Sequence, residues 1–384
     1  MAPPRRRRRR LRERRAVQVI AALLVVALIW LSWSIGTALT TPGGGTFAQR
    51  MAEWARGHYL GPVVTLGEWL TYSPPKVGGK PSFSLAGPSA AAPKTSSTAP
   101  VRHRPRHYPA PHRLASPAGR PLPGEGAWRV AYSVHHQPAI YTTFLRPDKV
   151  HTSYVAGIVN MNQKLLKFQL RPGAEDPGPG GYGGAQAVIS PGHRRGLAAT
   201  FNGGFKIASA QGGFWLHGTQ RGPLIKGAAS MVYYRDGSMR IGVWGSDLHM
   251  TPDVVGVRQN LRPIVEHGQI PATVDQNVQS SWGATLGGGY YVWRSGIGVT
   301  STGRVIFVYG PALDVRSLAS LLKRAGCVEA MELDINPDWT NFMYYKPGHH
   351  PADPTPVNLL PDQVQPAARY YALANRDFTA VFAR

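Results

Sequence analysis

Two carboxylates and an amide alternate with apolar residues over residues 330–336. Glu332, Asp334 and Asn336 would share one face of a strand, because successive side chains of a strand point to opposite faces. Carboxylates held close together push their pKa values apart, so that one serves as an acid and the other as a base at the same pH. The pattern predicts an acid–base site on Asp334 and Glu332, although a solvated edge strand would show the same alternation.

A tight turn is predicted at Asn202-Gly203-Gly204, directly after a short apolar run. Asn-Gly favours a turn because both residues accept positive φ angles. Such a turn exposes backbone N–H groups and the Asn202 amide, which suit a sugar hydroxyl or a phosphate oxygen. An ordinary hairpin turn is the alternative.

A β-hairpin is predicted over residues 290–309, with its turn at Thr302-Gly303. Alternation puts Arg294 on the same face as Gly296 and Gly298, so we expect open space beside its guanidinium group. A guanidinium next to bare backbone suits bidentate phosphate binding. A surface arginine is the alternative.

Pro337 is expected to end the strand and to place Trp339 in the following loop, where the indole ring could stack on a sugar. The sequence has no G-x-S-x-G, H-E-x-x-H or paired C-x-x-C motif, so it gives no support to serine-triad or zinc chemistry. Histidines in a proline-rich stretch have no carboxylate beside them, and we expect neither a metal nor another cofactor. These histidines are His103, His107 and His112.

Gly178, Gly180 and Gly183 satisfy the G-x-G-x-x-G spacing of dinucleotide sites. No strand precedes them, and residues 185–190 read as a strand where such a site needs a helix. A surface loop is therefore the expectation.

The first fifteen residues are strongly basic, with nine arginines against Glu13 alone, and contribute +8 to the formal net charge of +23. Such a head is typical of nucleic-acid binding, but the 21 residues of 16–36 that follow carry no charge. A helix of that length spans roughly 30 Å, enough to cross a bilayer. We predict a basic cytoplasmic head over 1–15 and a transmembrane signal anchor over 16–36.

Arginines precede this span and none closely follows it, which predicts a cytoplasmic amino end and an extracellular main domain. The expected location is the cell membrane, with a single pass, the lipid bilayer as the partner of residues 16–36, and no nucleic-acid partner. A cleaved signal peptide is the alternative, but the length of the run and the interfacial Trp30 and Trp33 favour the anchor. The remaining +15 (23 minus 8) would attract anionic wall polymers or lipid headgroups, or is simply solvated surface charge.

Composition divides the rest of the chain. Residues 37–71 are predicted to form a juxtamembrane amphipathic segment, and the Pro/Ala/Ser/Arg-rich residues 72–126 a disordered linker. Residues 127–384 then form the folded domain. Cys327 is the only cysteine in the sequence, so no intrachain disulfide stabilises it.

Short apolar runs broken by Gly, Pro and Asn predict many strands in the folded domain. One helix is predicted: Asp314 can cap it, apolar residues recur at helical spacing from Leu318, and Gly326 can close it. The expected fold class is mixed α/β, a largely antiparallel twisted sheet system with a few flanking helices, preceded by the transmembrane helix and the linker.

Four ordered blocks between about residue 154 and the last residue together resemble the phosphodiester glycosidase family. The blocks are Thr200-Phe201-Asn202-Gly203-Gly204-Phe205, then Arg258-Gln259-Asn260-Leu261-Arg262-Pro263 with Gly268, then Arg294-Ser295-Gly296-Ile297-Gly298-Val299 with Gly303-Arg304-Val305, and finally the helix from Leu318 to Gly326 that leads into Glu332-Leu333-Asp334.

The resemblance implies a hydrolase that cleaves the glycosidic bond of a sugar 1-phosphodiester in an extracellular glycan or wall polymer. It implies catalytic roles for Asp334, Arg294 and Asn202: acid–base transfer, phosphate binding and substrate orientation. Further substrate-binding residues would be Gly203, Gly204, Asn260, Arg262, Glu332 and Trp339.

The chain departs from the family pattern directly after Asp334. The family has a glycine triplet and serines there, whereas this sequence has Ile335-Asn336-Pro337-Asp338-Trp339-Thr340-Asn341-Phe342. A glycine-rich loop lets backbone approach a ligand, which proline and tryptophan do not. The alternative function is therefore a non-catalytic, membrane-anchored binder of anionic wall glycans.

Overall fold

The structure is a computed structural model that describes residues 5–40, 47–86, 108–178, 182, 187–276, 279–283 and 290–384. The chain separates into two compact units, Met1–Gly67 and Glu68–Arg384. Its helices are α1 (Arg5–Thr40), α2 (Phe47–Gly57), α3 (Gly61–Thr71), α4 (Gln279–Trp282) and α5 (Val315–Arg324).

The first unit is dominated by α1, which contains an apolar stretch, Arg14–Thr40, long enough to cross a membrane. Helix α2 packs against the last turns of α1 through Ser34, whose hydroxyl accepts a hydrogen bond from the Trp54 indole (2.9 Å) and bonds the His58 ring (3.1 Å). The stretch predicted to span the membrane is therefore helical, and α2 and α3 lie within the predicted juxtamembrane segment.

The described residues of the second unit form seventeen strands in three antiparallel sheets. The strands are β1 (Arg129–Val134), β2 (Gln137–Leu145), β3 (Ala156–Met161), β4 (Leu166–Arg171), β5 (Leu197–Asn202), β6 (Phe214–Leu216), β7 (Thr219–Arg221), β8 (Ala229–Tyr234), β9 (Met239–Val243), β10 (Val254–Gln259), β11 (Pro263–Val265), β12 (Val292–Thr300), β13 (Val305–Leu313), β14 (Cys327–Glu332), β15 (Phe342–Lys346), β16 (Thr355–Asn358) and β17 (Phe378–Ala383).

The seven-stranded sheet has the order β1-β2-β3-β13-β12-β14-β11, and the two five-stranded sheets have the orders β7-β6-β10-β8-β9 and β16-β15-β5-β17-β4. Side chains from all three sheets, among them Phe201, Phe214 and Phe307, meet in one buried cluster. This confirms the mixed α/β fold with antiparallel sheets and few helices.

The central hairpin and its helix follow local sequence rules. Strands β12 and β13 pair antiparallel around a turn in which Gly303 has φ +79°, a conformation that favours glycine. Helix α5 begins with a capping box in which Asp314 and Ser317 bond each other's backbone N–H groups, and Gly326 follows its end with φ +97°. Both features agree with the sequence analysis.

Strand β14 is not at an edge, because it pairs with β12 on one side and β11 on the other. It ends at Glu332, four residues before Asn336, where the alternation ends, although Leu333 still donates to the Ser295 carbonyl (2.8 Å). The Asp334 carboxylate then accepts hydrogen bonds from the N–H groups of Ile335 (2.8 Å) and Asn336 (3.0 Å). This local turn competes with strand pairing and ends the strand.

The linker interpretation needs correction where the structure describes residues 72–126. Leu85 is buried in the main core, Glu125 is fully buried against Arg146 (3.0 Å), and Gly126 N–H donates to the Phe144 carbonyl (3.0 Å). Composition misses these contacts. A proline-rich chain also has less conformational entropy to lose when it becomes ordered.

Some predictions lie outside the described residues: His103 and His107 of the linker, and Gly180 and Gly183 of the glycine-spaced loop. Of residues 185–190, the described part, 187–190, forms no strand.

Candidate functional site

Asn202 ends β5, the central strand of its sheet, and its side chain ties three segments together. The amide nitrogen donates to the Ser295 hydroxyl (3.0 Å) and the amide oxygen accepts from Asn341 N–H (3.2 Å). Ser295 lies on β12 and Asn341 directly precedes β15, so this buried amide fixes the relative position of two sheets and the loop beside them.

The two glycines after Asn202 are required by close packing. A Cβ atom on Gly203 would lie 1.9 Å from the Asp377 carboxylate, and one on Gly204 would lie 3.0 Å from the Asn260 amide oxygen. The turn is held from below by Gly203 N–H donating to the Asp377 carbonyl (3.0 Å) and Phe205 N–H donating to the Asn260 amide (3.0 Å). The predicted tight turn with positive φ angles and exposed N–H groups is therefore wrong: neither glycine has a positive φ, and the N–H groups of Gly203 and Phe205 are bonded inside the protein. The chain instead bends at Phe205, and residues 202–205 are called the Asn202 turn here.

A fully buried ion pair lies beneath this turn. Arg258 Nε donates to Asp377 at 2.9 Å, and the guanidinium group also bonds the carbonyls of Gln259 and Phe205. Burial raises the pKa of Asp377, and the charge of Arg258 opposes that shift. The pair also bonds backbone atoms of Gln259 and Phe205, so it holds strand β10 and the Asn202 turn together.

A second buried pair joins Arg294 of β12 to Glu332 at the end of β14. The space expected beside Arg294 is filled: a Cβ atom on Gly296 would meet Leu322 and Leu318 of α5 at 3.0 and 3.1 Å. Arg294 also donates to the Leu313 carbonyl at 3.0 Å. Gly296 thus accommodates the helix, and the guanidinium group is directed at Glu332.

The third pair, Asp334 with Arg376, differs because Arg376 faces open space. Arg376 Nη2 donates to Asp334 at 3.0 Å and to the Gly204 carbonyl at 2.9 Å. Its guanidinium carbon lies 4.8 Å from the Trp339 ring centre, a cation–π distance. Burial raises the pKa of Asp334, while Arg376 and two backbone N–H groups act in the opposite direction.

These groups surround a small, partly open pocket with room for about one water molecule. The residues that line it are Asn202, Gly203, Gly204, Trp339, Asn341, Arg369, Tyr370, Arg376 and Asp377. Asp334 is not among the lining residues, but its carboxylate bonds Arg376, which is. Amide, guanidinium and aromatic groups around one small space can bind a polar, anionic ligand with a ring.

The sequence-predicted residues are thus divided by the structure. Asn202, Gly203, Gly204 and Trp339 line the pocket, and Asp334 contacts its wall. Asn260 lies one layer behind, with its amide nitrogen donating to the carbonyls of Glu332 and Leu333. Arg294 and Glu332 form the closed pair, and Arg262 is exposed at the start of β11, outside the pocket lining.

Sequence reasoning missed the pocket residues that come from the last part of the chain. Arg376 and Asp377 directly precede β17, as Asp334 follows β14, so polar residues at a strand end were a usable signal. Arg369 and Tyr370 lie in a single turn of 3₁₀-helix with no such signal. Asn341 stood in the segment that departs from the family pattern.

In the part of the chain that the structure describes, no three His, Cys, Asp or Glu side chains are grouped so that they could hold a metal ion.

Comparison with known proteins gives distant similarities of fold. No protein-family model and no curated protein matches the chain. The catalytic domain of zebrafish N-acetylglucosamine-1-phosphodiester alpha-N-acetylglucosaminidase, auto-inhibited by its pro-peptide, aligns with TM-score 0.39 and 14% identity over 67% of this chain and 88% of that chain. A hypothetical protein from Synechocystis aligns with TM-score 0.37 and 11% identity over 65% of this chain and 63% of that one.

Proposed function

We propose that residues 127–384 form a hydrolase that cleaves the glycosidic bond of a sugar 1-phosphodiester in an extracellular glycan or wall polymer. The observation that carries this proposal is the Asp334–Arg376 pair at a pocket walled by the Asn202 turn and Trp339. A carboxyl group, an aromatic ring and an amide around one space suit sugar-phosphate chemistry. The four sequence blocks that resemble phosphodiester glycosidases support the same reaction.

In the proposed reaction Asp334 transfers the proton. Water adds to the anomeric carbon while the bond from that carbon to the phosphate oxygen breaks, so the products are the free sugar and a phosphomonoester. The raised pKa of Asp334 favours a carboxyl group that keeps its proton above the ordinary aspartate range. General acid–base assistance of this kind contributes about 10²–10⁴ in rate.

The neighbouring groups would position the substrate. Trp339 offers a ring face for the sugar, Arg376 holds the Asp334 carboxyl in place, and Asn202 keeps the turn aligned. Arg294 and Glu332 act in this proposal as positioning residues, because the pair fixes the end of β14 from which Asp334 projects.

The second candidate is a non-catalytic binder of anionic wall glycans. One observation favours it: both oxygens of Asp334 are occupied, one by the N–H groups of Ile335 and Asn336 and the other by Arg376. A carboxylate engaged in this way can be purely structural. The same pocket would then bind a sugar phosphate without cleaving it.

The hydrolase is tested by the Asp334→Asn variant with a panel of sugar 1-phosphodiesters and an assay for released sugar. We expect a loss of about 10²–10⁴ in kcat with substrate binding largely retained, because a proton-transfer group stabilises the transition state more than the ground state. Asp353→Asn, which changes an exposed aspartate, is the matched control and should keep full activity. Wild-type protein that cleaves none of the panel but binds anionic polymers in a salt-sensitive way would replace the enzyme with the binder.

We further propose that α1 anchors the protein in the cell membrane with its amino end inside and its main domain outside. The arginines at the start of α1 and the apolar stretch Arg14–Thr40 support this orientation. Protease added to intact cells should then remove the domain of residues 127–384 and spare a tag placed before Arg5. Protection of that domain in intact cells, with digestion after permeabilisation, would reverse the orientation.

A further inference from the structure

Arg369 differs from the other buried arginines of the molecule. Of the residues that the structure describes, four arginines are buried: Arg146, Arg258, Arg294 and Arg369. The first three form ion pairs with Glu125, Asp377 and Glu332. Arg369 forms no ion pair within the described part of the chain.

The contacts of Arg369 leave most of its donors unused. Its Nη1 donates to the Leu373 carbonyl at 2.9 Å, and its guanidinium carbon lies 5.9 Å from the Tyr370 ring centre. Only 4% of the residue is exposed, and it lines the pocket. Taking a charge out of water without a partner costs several kcal/mol, so an anion in the pocket would be strongly favoured.

The other charges that line the pocket are already balanced. Asp377 is paired with Arg258, and Arg376 is paired with Asp334. Among the described charged residues that line the pocket, this leaves Arg369 without an ion-pair partner, although the Glu175 carboxylate acts on it electrostatically from beyond ion-pair distance. Arg376 adds one spare donor, because its buried Nε has no hydrogen-bond partner in the described structure.

Arg369 is also held in place before any ligand binds. Its own N–H donates to the Pro366 carbonyl (2.9 Å), and Ile189 N–H donates to the Tyr370 carbonyl (2.9 Å). The Tyr370 ring stacks on Phe378 at 4.1 Å between ring centres, and its hydroxyl donates to Asn341 (2.9 Å). A donor fixed in this way binds an anion without a cost for reorganisation.

We propose that Arg369, assisted by Arg376, is the seat of a phosphate group in this pocket, and that the ligand is a phosphate ester. This inference rests on the proposed function, because it names the group that binds the phosphate of the substrate. Arg369 then has the phosphate-binding role that the sequence analysis gives to Arg294. A guanidinium group suits the task because it offers parallel N–H donors to two oxygens of one phosphate.

The test measures binding of inorganic phosphate and of glycerol 1-phosphate to the purified full-length protein in detergent, by calorimetry and by thermal shift. Wild-type protein should bind both and should melt at a higher temperature in their presence. Arg369→Met should lose about tenfold or more in affinity, as expected when a charge-assisted contact is removed. Without phosphate, this variant should melt at the wild-type temperature or above, because an unbalanced buried charge is gone.

Two further variants separate the loss of a specific phosphate contact from a general effect on the protein. Arg369→Lys retains the charge without the paired donors and should bind phosphate more weakly than wild-type protein but more tightly than Arg369→Met. Arg194→Met is the matched control: Arg194 packs on Tyr371 of the same turn but does not line the pocket, so phosphate affinity should stay unchanged. If Arg369→Met fails to fold, Arg369→Lys decides, and wild-type affinity in that variant overturns the proposal.

Different experimental outcomes would overturn the phosphate-binding role of Arg369 and the hydrolase activity. Loss of phosphate affinity in Arg369→Met, in a protein that cleaves no sugar phosphodiester, supports the seat and removes the hydrolase. Hydrolysis with unchanged phosphate affinity and unchanged KM in Arg369→Met keeps the hydrolase and removes the seat. A variant that is strongly destabilised and still binds phosphate like wild-type protein makes Arg369 structural.

Discussion

The ion pairs Arg294–Glu332 and Arg376–Asp334 begin two residues apart at the end of β14, yet they have different surroundings. Helix α5 packs on Gly296 beside Arg294 and closes off the first pair. The second pair lies beyond the strand end, where Arg376 lines the pocket and packs on Trp339. An arginine–carboxylate pair therefore lies closed inside the fold in one place and borders a pocket in the other.

The difference shows that the covering element decides what a charged pair can do. In a fully buried pair, the attraction between the two charges is offset by the loss of their hydration. Such a pair adds little net stability, and its main effect is to fix the positions of the two segments it joins. A pair at a pocket wall keeps one member, here Arg376, within reach of a ligand. Three sets of variants test this comparison.

The largest effect is expected from breaking the closed pair. Arg294→Met leaves Glu332 buried and unpaired, which should destabilise the protein by about 3–5 kcal/mol. Arg376→Met should cost less, because Asp334 keeps the N–H groups of Ile335 and Asn336 and lies next to the pocket. Denaturant unfolding of the purified protein gives both free energies.

The double variant Arg294→Met/Glu332→Leu controls for the missing charge. It should recover much of the stability, because no buried charge is left unpaired. Equal losses for Arg294→Met and Arg376→Met would show that the two pairs are equivalent and would contradict the comparison.

An intermediate effect is expected at the turn that joins the pocket to the Arg258–Asp377 pair. The Cβ atom of Gly203→Ala would lie 1.9 Å from the Asp377 carboxylate and must displace it. Overpacking of this kind costs about 1–3 kcal/mol. Gly192→Ala is the matched control, because a Cβ atom there meets nothing within 4 Å. Similar unfolding free energies for the two variants would show that the turn can yield.

The smallest effect concerns the pH dependence of hydrolysis. If the protonated Asp334 is the general acid, kcat/KM falls as pH rises through the pKa of this residue. The charge of Arg376 lowers that pKa against the larger effect of burial, so Arg376→Gln should raise it further and move the falling limb to higher pH. Arg376→Lys keeps the charge and should leave the limb nearly in place. A limb that moves to lower pH in Arg376→Gln would exclude Asp334 as the titrating group.

Local patterns in the sequence were sufficient for much of the fold. The capped helix α5, the hairpin around Gly303 and the strand that leads to Asn202 follow from residues within a few positions of each other. Composition was a weaker guide, since Leu85 and Glu125 of the proline-rich stretch are buried.

The site was harder to predict from the sequence, because the residues that contact one another in it are far apart in the chain. Alternation placed Glu332 and Asp334 on one polar face, but nothing local shows that one meets Arg294 and the other Arg376. Arg369 could not be found, because its distinguishing property is that it is buried at the pocket without an ion-pair partner in the described part of the chain, which is a tertiary feature.

Strand β17 determines when the pocket can form during synthesis of the chain. It is the last strand of the sheet system to leave the ribosome, and it inserts between β5 and β4, which are synthesised far earlier. The two residues directly before it, Arg376 and Asp377, hold Asp334 and Arg258. A nascent chain therefore has its carboxyl group and its turn before it has their partners, and the pocket can be assembled only after Arg376 and Asp377 have been synthesised.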